Sequence, residues 1–290
     1  MSGITLKLRP QIQNLRQLKK NKAAMIGLII ILFFVFVAVF APFIAPHHPY
    51  AQNLEKTLLL PCQEYPMGTD DLGRCILSRI IFGTRISLQI GIFVTGITAC
   101  IGVLLGMMAG YYGGILDEII MRIVDILLAF PGLVLALVVA GLLGPGLFNV
   151  MFALAIVGWM GYARVVRGSV LSVKEKEFVE TARALGAGDI YILLRHILPN
   201  VMAPVIVMAT LGMGYVILAA AGLSFLGLGA QPPTPVWGAM LNSGRAFMRT
   251  APHLTTFPGL AIMITVLAFN LLGDGLRDIF DPRLKEKKIE

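Results

Sequence analysis

Long uncharged stretches, separated by short polar breaks, set the plan of this chain. Ala23 to Ala45 is 23 residues without a charge, enough for a helix to cross ~30 Å of hydrocarbon. Pro42, Pro46 and Pro49 mark its exit, and the mixed segment from His47 to about Thr84 reads as a loop. Ile86 to Leu116 is again uncharged and ends at Tyr111-Tyr112-Gly113-Gly114, where paired glycines suit a tight turn. The run from Ile126 to Ala163 is too long for one crossing. Leu143-Gly144-Pro145-Gly146 divides it into a third span at about 119–143 and a fourth at about 147–166. Pro199 opens a fifth span to about Gly222, in a first turn where its missing N–H costs nothing. Ser224 to Pro258 is rich in Gly and Pro, and a sixth span covers about Phe257 to Leu276.

The pattern predicts an all-α polytopic membrane protein with six transmembrane helices. Its parts are a basic N-terminal segment (1–22), a first helix (23–45), an external loop (46–84), a core of five spans (85–280) and a tail (281–290). Composition agrees: 57% of residues are hydrophobic, 14% are charged and mean hydropathy is +0.82, where a soluble domain carries about a quarter charged residues. The formal net charge is +8. With both termini cytoplasmic, eighteen Lys/Arg fall on inside segments and six (Lys56, Arg74, Arg79, Arg85, Arg245, Arg249) outside. That is the positive-inside bias, so the basic balance reflects anchoring beside membrane lipid and not nucleic-acid binding.

Catalytic chemistry finds no support. There is no GxxxxGK[ST], HExxH or GxSxG, and no cofactor or metal site is expected in this chain. The three cysteines lack CxxC spacing. Cys62 and Cys75 share the predicted external loop, where either a disulfide or two free thiols fits. Arg122 and Asp125, and Asp274 and Arg277, stand three apart near the ends of spans three and six. Each pair reads as a structural ion pair. A proton relay of a stand-alone secondary transporter or channel is the alternative, weakened by the lack of an acid at the centre of a span.

One segment breaks the apolar rule, the charged island from Arg164 to Arg195. Phe178, Ala182 and Leu185 fall at i, i+4 and i+7, an apolar stripe on a short helix. Gly186 and Gly188 end that helix, and Asp189 can cap the next. Such an element either lies flat on the membrane or docks on a soluble partner.

Glu180-Thr181-Ala182, Gly186 and Leu198-Pro199 resemble the "EAA" signature of ABC importer permeases, with Thr181 and His196 as departures. Four further stretches follow in order: Met67 to Arg74, Met121 to Asp125, Leu223 to Gly229 with Gln231 to Pro235, and Phe269 to Asp278. Together they resemble the second ("C"-type) permease of the dipeptide/oligopeptide/nickel/glutathione importers. Cys75 departs from the pattern, which usually has an aspartate there. The resemblance implies the ABC type I importer permease fold in a prokaryotic inner membrane. It also implies a homologous second permease, an extracytoplasmic solute-binding protein, and two cytoplasmic ATPases that bind ATP and Mg. The loop 168–199 would couple to an ATPase through Glu180, Thr181, Ala182, Gly186, Leu198 and Pro199. Selection of the solute would rest largely with the binding protein.

Overall fold

The computed structural model describes residues 21–280, so the basic segment before Asn21 and the tail 281–290 lie outside the described residues. Among the described residues every named element is a helix. Five helices among these residues are long and apolar enough to cross a membrane, or six spans if one bent pair counts as a crossing.

Helix α1 (Lys22–Val39) starts where the Asn21 side chain accepts the Ala24 N–H at 3.1 Å, a standard N-cap. A single short turn, α2 (Ala41–Ile44), follows it. Two glycines let α1 lie hard against the last helix. A Cβ at Gly27 would stand 2.6 Å from Ala268 O, and one at Gly275 would collide with Ala24 Cβ. Within lipid, where apolar burial separates nothing from solvent, such close backbone approach is a main source of helix association.

Helix α3 (Ile76–Tyr112) has 37 residues, about 55 Å of rise, and so extends well beyond the hydrocarbon. It begins ten residues before the predicted second span, which shortens the predicted 46–84 loop. Arg79 and Arg85 disguised that start. Arg79 is buried and neutralised, 3.6 Å from Asp70 and donating to Pro49 O and Pro233 O.

The predicted third span is broken. Helices α4 (Gly114–Leu128) and α5 (Gly132–Leu143) meet at 89°. Pro131 explains the break: it cannot donate an N–H, and it disfavours helical geometry at Phe130. With 15 and 12 residues, the two pieces rise only about 22 and 18 Å, each too short to cross alone. Asn149 Nδ2 closes the end of α5 by donating to Leu143 O and Gly144 O, both at 3.0 Å.

Helix α6 (Leu147–Lys174) forms the most extensive helix interface, against α3. Gly102, Gly106 and Gly110 make the seam. Spaced by four, they present one flat stripe to Tyr162, Ala163, Val166 and Val170. The chain then folds through α7 (Glu177–Ala184) and α8 (Asp189–Ile192), widens into a π-turn at Leu193–Ile197, and enters α9 (Leu198–Phe225). Two features fit the wide turn. Pro199 has no N–H for the usual bond back along the helix, and Asn200 Nδ2 donates to His196 O at 2.6 Å.

A short helix α10 (Trp237–Gly244) plugs the far end. Trp237 is 1% exposed and its Nε1 donates to Ile80 O at 3.1 Å. Helix α11 (His253–Phe280) completes the fold between α1 and α9.

Candidate functional site

The end of the molecule that carries α7 and α8 gathers four of the predicted coupling residues, Glu180, Thr181, Ala182 and Gly186, onto one hairpin. Val179, Ala182, Ile192 and Ile197 are buried with Val170 and Val173 of α6 in a single core cluster. This corrects the predicted stripe. The buried face of α7 runs through Val179 and Ala182, while Phe178 and Leu185 face outward, Leu185 83% exposed.

Gly186 sits at φ +82°, with Ala187 N–H donating to Ala182 O (3.1 Å) and Gly186 N–H to Arg183 O (3.0 Å). These two bonds define a Schellman stop, which a left-handed residue permits. Among the described residues a Cβ at Gly186 would meet nothing within 4 Å, so this position demands glycine for its backbone and not for space. The predicted cap at Asp189 is not made: Gly188 takes the cap position. The Asp189 carboxylate instead accepts the Tyr111 hydroxyl at 2.6 Å, tying the hairpin to the end of α3. Arg183 lies over the same tyrosine ring at 5.9 Å.

Glu180, Thr181 and Gly186 are exposed on α7 and its stop, and Ala182 is buried beneath them. The Thr181 hydroxyl donates to Glu177 O at 2.7 Å. Leu198 and Pro199 lie where the π-turn enters α9, Leu198 packed on the cluster and Pro199 exposed. Around Glu180 the outward surface mixes acid with large apolar side chains, among them Ile190, Tyr191 and Leu194.

Rigid mounting comes from charges that local spacing paired wrongly. Neither Arg122–Asp125 nor Asp274–Arg277 closes an ion pair among the described residues. Asp125 pairs with Arg164, and Asp117 receives both Nε (2.5 Å) and Nη2 (2.6 Å) of Arg167. Helix α4 is thus clamped to α6 from two separate turns. Asp274 and Arg277 are exposed, and the neighbouring Asp278 accepts from Asn21 Nδ2 at 3.4 Å. Lys174 Nζ adds a further tie by donating to Gly110 O at 2.9 Å, where a cation meets the negative end of α3.

The opposite end is organised by Gly68-Thr69-Asp70-Asp71-Leu72-Gly73-Arg74. Asp70 Oδ1 accepts the N–H groups of Leu72 and Arg74, and Oδ2 accepts Arg74 Nε at 2.6 Å. Gly73, at φ +69°, lies so close to Asn53 that a Cβ would run into its carbonyl oxygen. Cys62 is an exposed free thiol and Cys75 a buried one. Cys75 holds the N-cap position of α3 without a side-chain cap bond, so an aspartate there would have a ready structural task.

A set of apolar spans carrying an exposed charged hairpin at one end defines a multi-pass membrane protein built to work with other subunits. Residues 102–286 match the family model described as "Binding-protein-dependent transport system inner membrane component", and residues 12–61 match the "N-terminal TM domain of oligopeptide transport permease C". The chain belongs to the first of these families, the membrane permeases of ABC importers. It is 49% identical to the dipeptide transport system permease protein DppC of Alkalihalophilus pseudofirmus, over 93% of this chain and 89% of that protein. The corresponding protein of Haemophilus influenzae is 47% identical, over 92% and 93%. The glutathione transport system permease protein GsiD of Escherichia coli is 50% identical, over 93% and 89%.

Proposed function

We propose that this permease forms half of the path of an ATP-driven importer for di- or oligopeptides, glutathione included, and that the hairpin 177–197 transmits the drive. Several features support the reading. The hairpin's inner face is fixed by the Val179–Ala182–Ile192–Ile197 cluster and by the Tyr111–Asp189 bond, so a push on it moves α3, α6 and α9 together. Its outer face offers Glu180 among Phe178, Leu185, Ile190 and Tyr191, a surface suited to a groove with a basic residue. That exposed face on a rigid mount is the observation that carries the proposal.

Under this reading the hairpin faces the cytoplasm, in accord with the excess of Lys and Arg on that side. Two ATPase subunits bind ATP and Mg, a homologous permease supplies the other half of the path, and a binding protein delivers solute to the Asp70–Arg79 end. The chain itself does no chemistry. Domain closure in the ATPases then moves the spans as packed units. The solute class follows from what the similar proteins are named for, dipeptides and glutathione. Uptake of labelled dipeptide by cells carrying Glu180→Lys or Leu185→Glu tests the proposal. Loss of uptake with normal membrane levels of the chain is expected. Normal uptake by both variants overturns the coupling role.

A further inference from the structure

The elbow of the broken span leaves a cavity of about 240 Å³ between α3, α6 and α9. Thr95 and Thr98 of α3, Phe130 at the elbow, Tyr162 of α6, and Gly212 and Tyr215 of α9 line it. Thr95, Tyr162 and Gly212 fall near the middle of their spans, at membrane depth. Thr95 is 5% exposed and Tyr162 6%, and neither hydroxyl has a hydrogen-bond partner among the described residues.

Other buried threonines on α3 and α11 behave differently. Thr84, Thr98 and Thr265 donate to their own helix, to Ile80 O, Thr95 O and Ala261 O. Thr95 and Tyr162 instead leave hydroxyls unspent in a setting where an unpaired polar group is costly. Polar groups at this depth normally face a partner or a path. Valine and phenylalanine would build the same wall without that penalty. Gly212 preserves the space as well, because a Cβ there would stand 2.9 Å from Tyr162 Oη.

We propose that this cavity is a solute half-site, in which Thr95 and Tyr162 donate hydrogen bonds to the amide carbonyls of a peptide-like solute. Among the described residues, no Asp, Glu, Lys, Arg or His lines it. It therefore reads the backbone amides shared by all peptides and not the charge of a side chain. Its volume falls below the roughly 300–1,000 Å³ that encloses a whole small molecule, so the second permease must complete the site. The proposal rests on the importer reading above.

The test uses the complete importer in proteoliposomes, with labelled dialanine and labelled glutathione as probes and ATP hydrolysis followed in parallel. The variants are Thr95→Val, Tyr162→Phe, their double and Gly212→Ala, with Gly96→Ala as control, since a Cβ at Gly96 meets nothing among the described residues within 4 Å. Each single hydroxyl deletion is expected to lower uptake about tenfold, as for one lost hydrogen bond. ATP hydrolysis should persist, and the thermal midpoint should stay level or rise, because an unpaired buried hydroxyl has been removed. Unchanged uptake by the double variant overturns the half-site and leaves a water-filled gap. A fall in thermal midpoint that tracks the loss of uptake also overturns it, in favour of a packing role. Should wild-type uptake prove independent of ATP, the importer reading fails separately, and the same variants then judge the half-site on the uptake that remains.

Discussion

The seam between α3 and α6 gives the sharpest quantitative prediction. Gly106 lies so close to α6 that an added Cβ would sit 2.6 Å from Ala163 O and 2.9 Å from Val166 Cβ. Ordinary carbon contacts need about 3.5–4.0 Å, so Gly106→Ala must push the helices apart by roughly 1 Å. Its neighbours are backbone and a β-branched side chain, which cannot swing away. Overpacking of this kind costs about 1–3 kcal/mol. Gly96 stands on the same helix with nothing among the described residues within 4 Å of its virtual Cβ. Alanine there gains only helix propensity, up to about 1 kcal/mol. The difference between Gly106→Ala and Gly96→Ala is therefore about 1–4 kcal/mol, on the order of 5 °C in thermal midpoint for a chain of this size. Thermal unfolding of the two purified variants, in one detergent and lipid mixture, checks it. Equal midpoints would refute the claim that close backbone packing holds α3 to α6.

Reversing the Asp117–Arg167 pair tests the clamp between α4 and α6. Asp117→Arg and Arg167→Asp should each destabilise by about 2 kcal/mol by setting two like, partly buried charges against each other, and the double reversal should recover at least half in the same melt. Cys75→Ser should stabilise by about 0.5–1 kcal/mol by supplying the cap that α3 lacks, visible as a raised midpoint. A maleimide probe under native conditions should label Cys62, in the loop before α3, and spare buried Cys75. Equal labelling of Cys75 would contradict its burial.

The membrane class was legible because the chain holds uncharged runs long enough to cross hydrocarbon as helices, and water would not hold them in solution. Helix ends were less so, and each miss has a physical cause. Arg79 looked like loop because its partner Asp70 lies across a turn and its acceptors Pro49 and Pro233 are remote in the chain. The bend fell at Pro131-Gly132, a signal present in the chain but outweighed by the stronger turn at Gly144-Pro145-Gly146. Ion pairs were inferred from spacing on one helix, whereas Asp117 and Asp125 reach across to α6. The hairpin's residues were found by motif, and its rotation was not. Which side of α7 faces inward depends on where Ile192 and Ile197 arrive, and that depends on the wide turn before Pro199. The two hydroxyls at the elbow gave no local sign, since their isolation is a property of three packed helices.

The central claim is that the hairpin 177–197 touches an ATPase subunit. Site-specific photocrosslinking from position 185 addresses it directly, because Leu185 is 83% exposed on the hairpin and Leu142, at the opposite end, is 84% exposed. A benzophenone side chain placed at 185 should join the chain to an ATP-binding protein, and the same group at 142 should not. Lipid adducts alone at 185, or the same protein partner from both positions, would contradict the account.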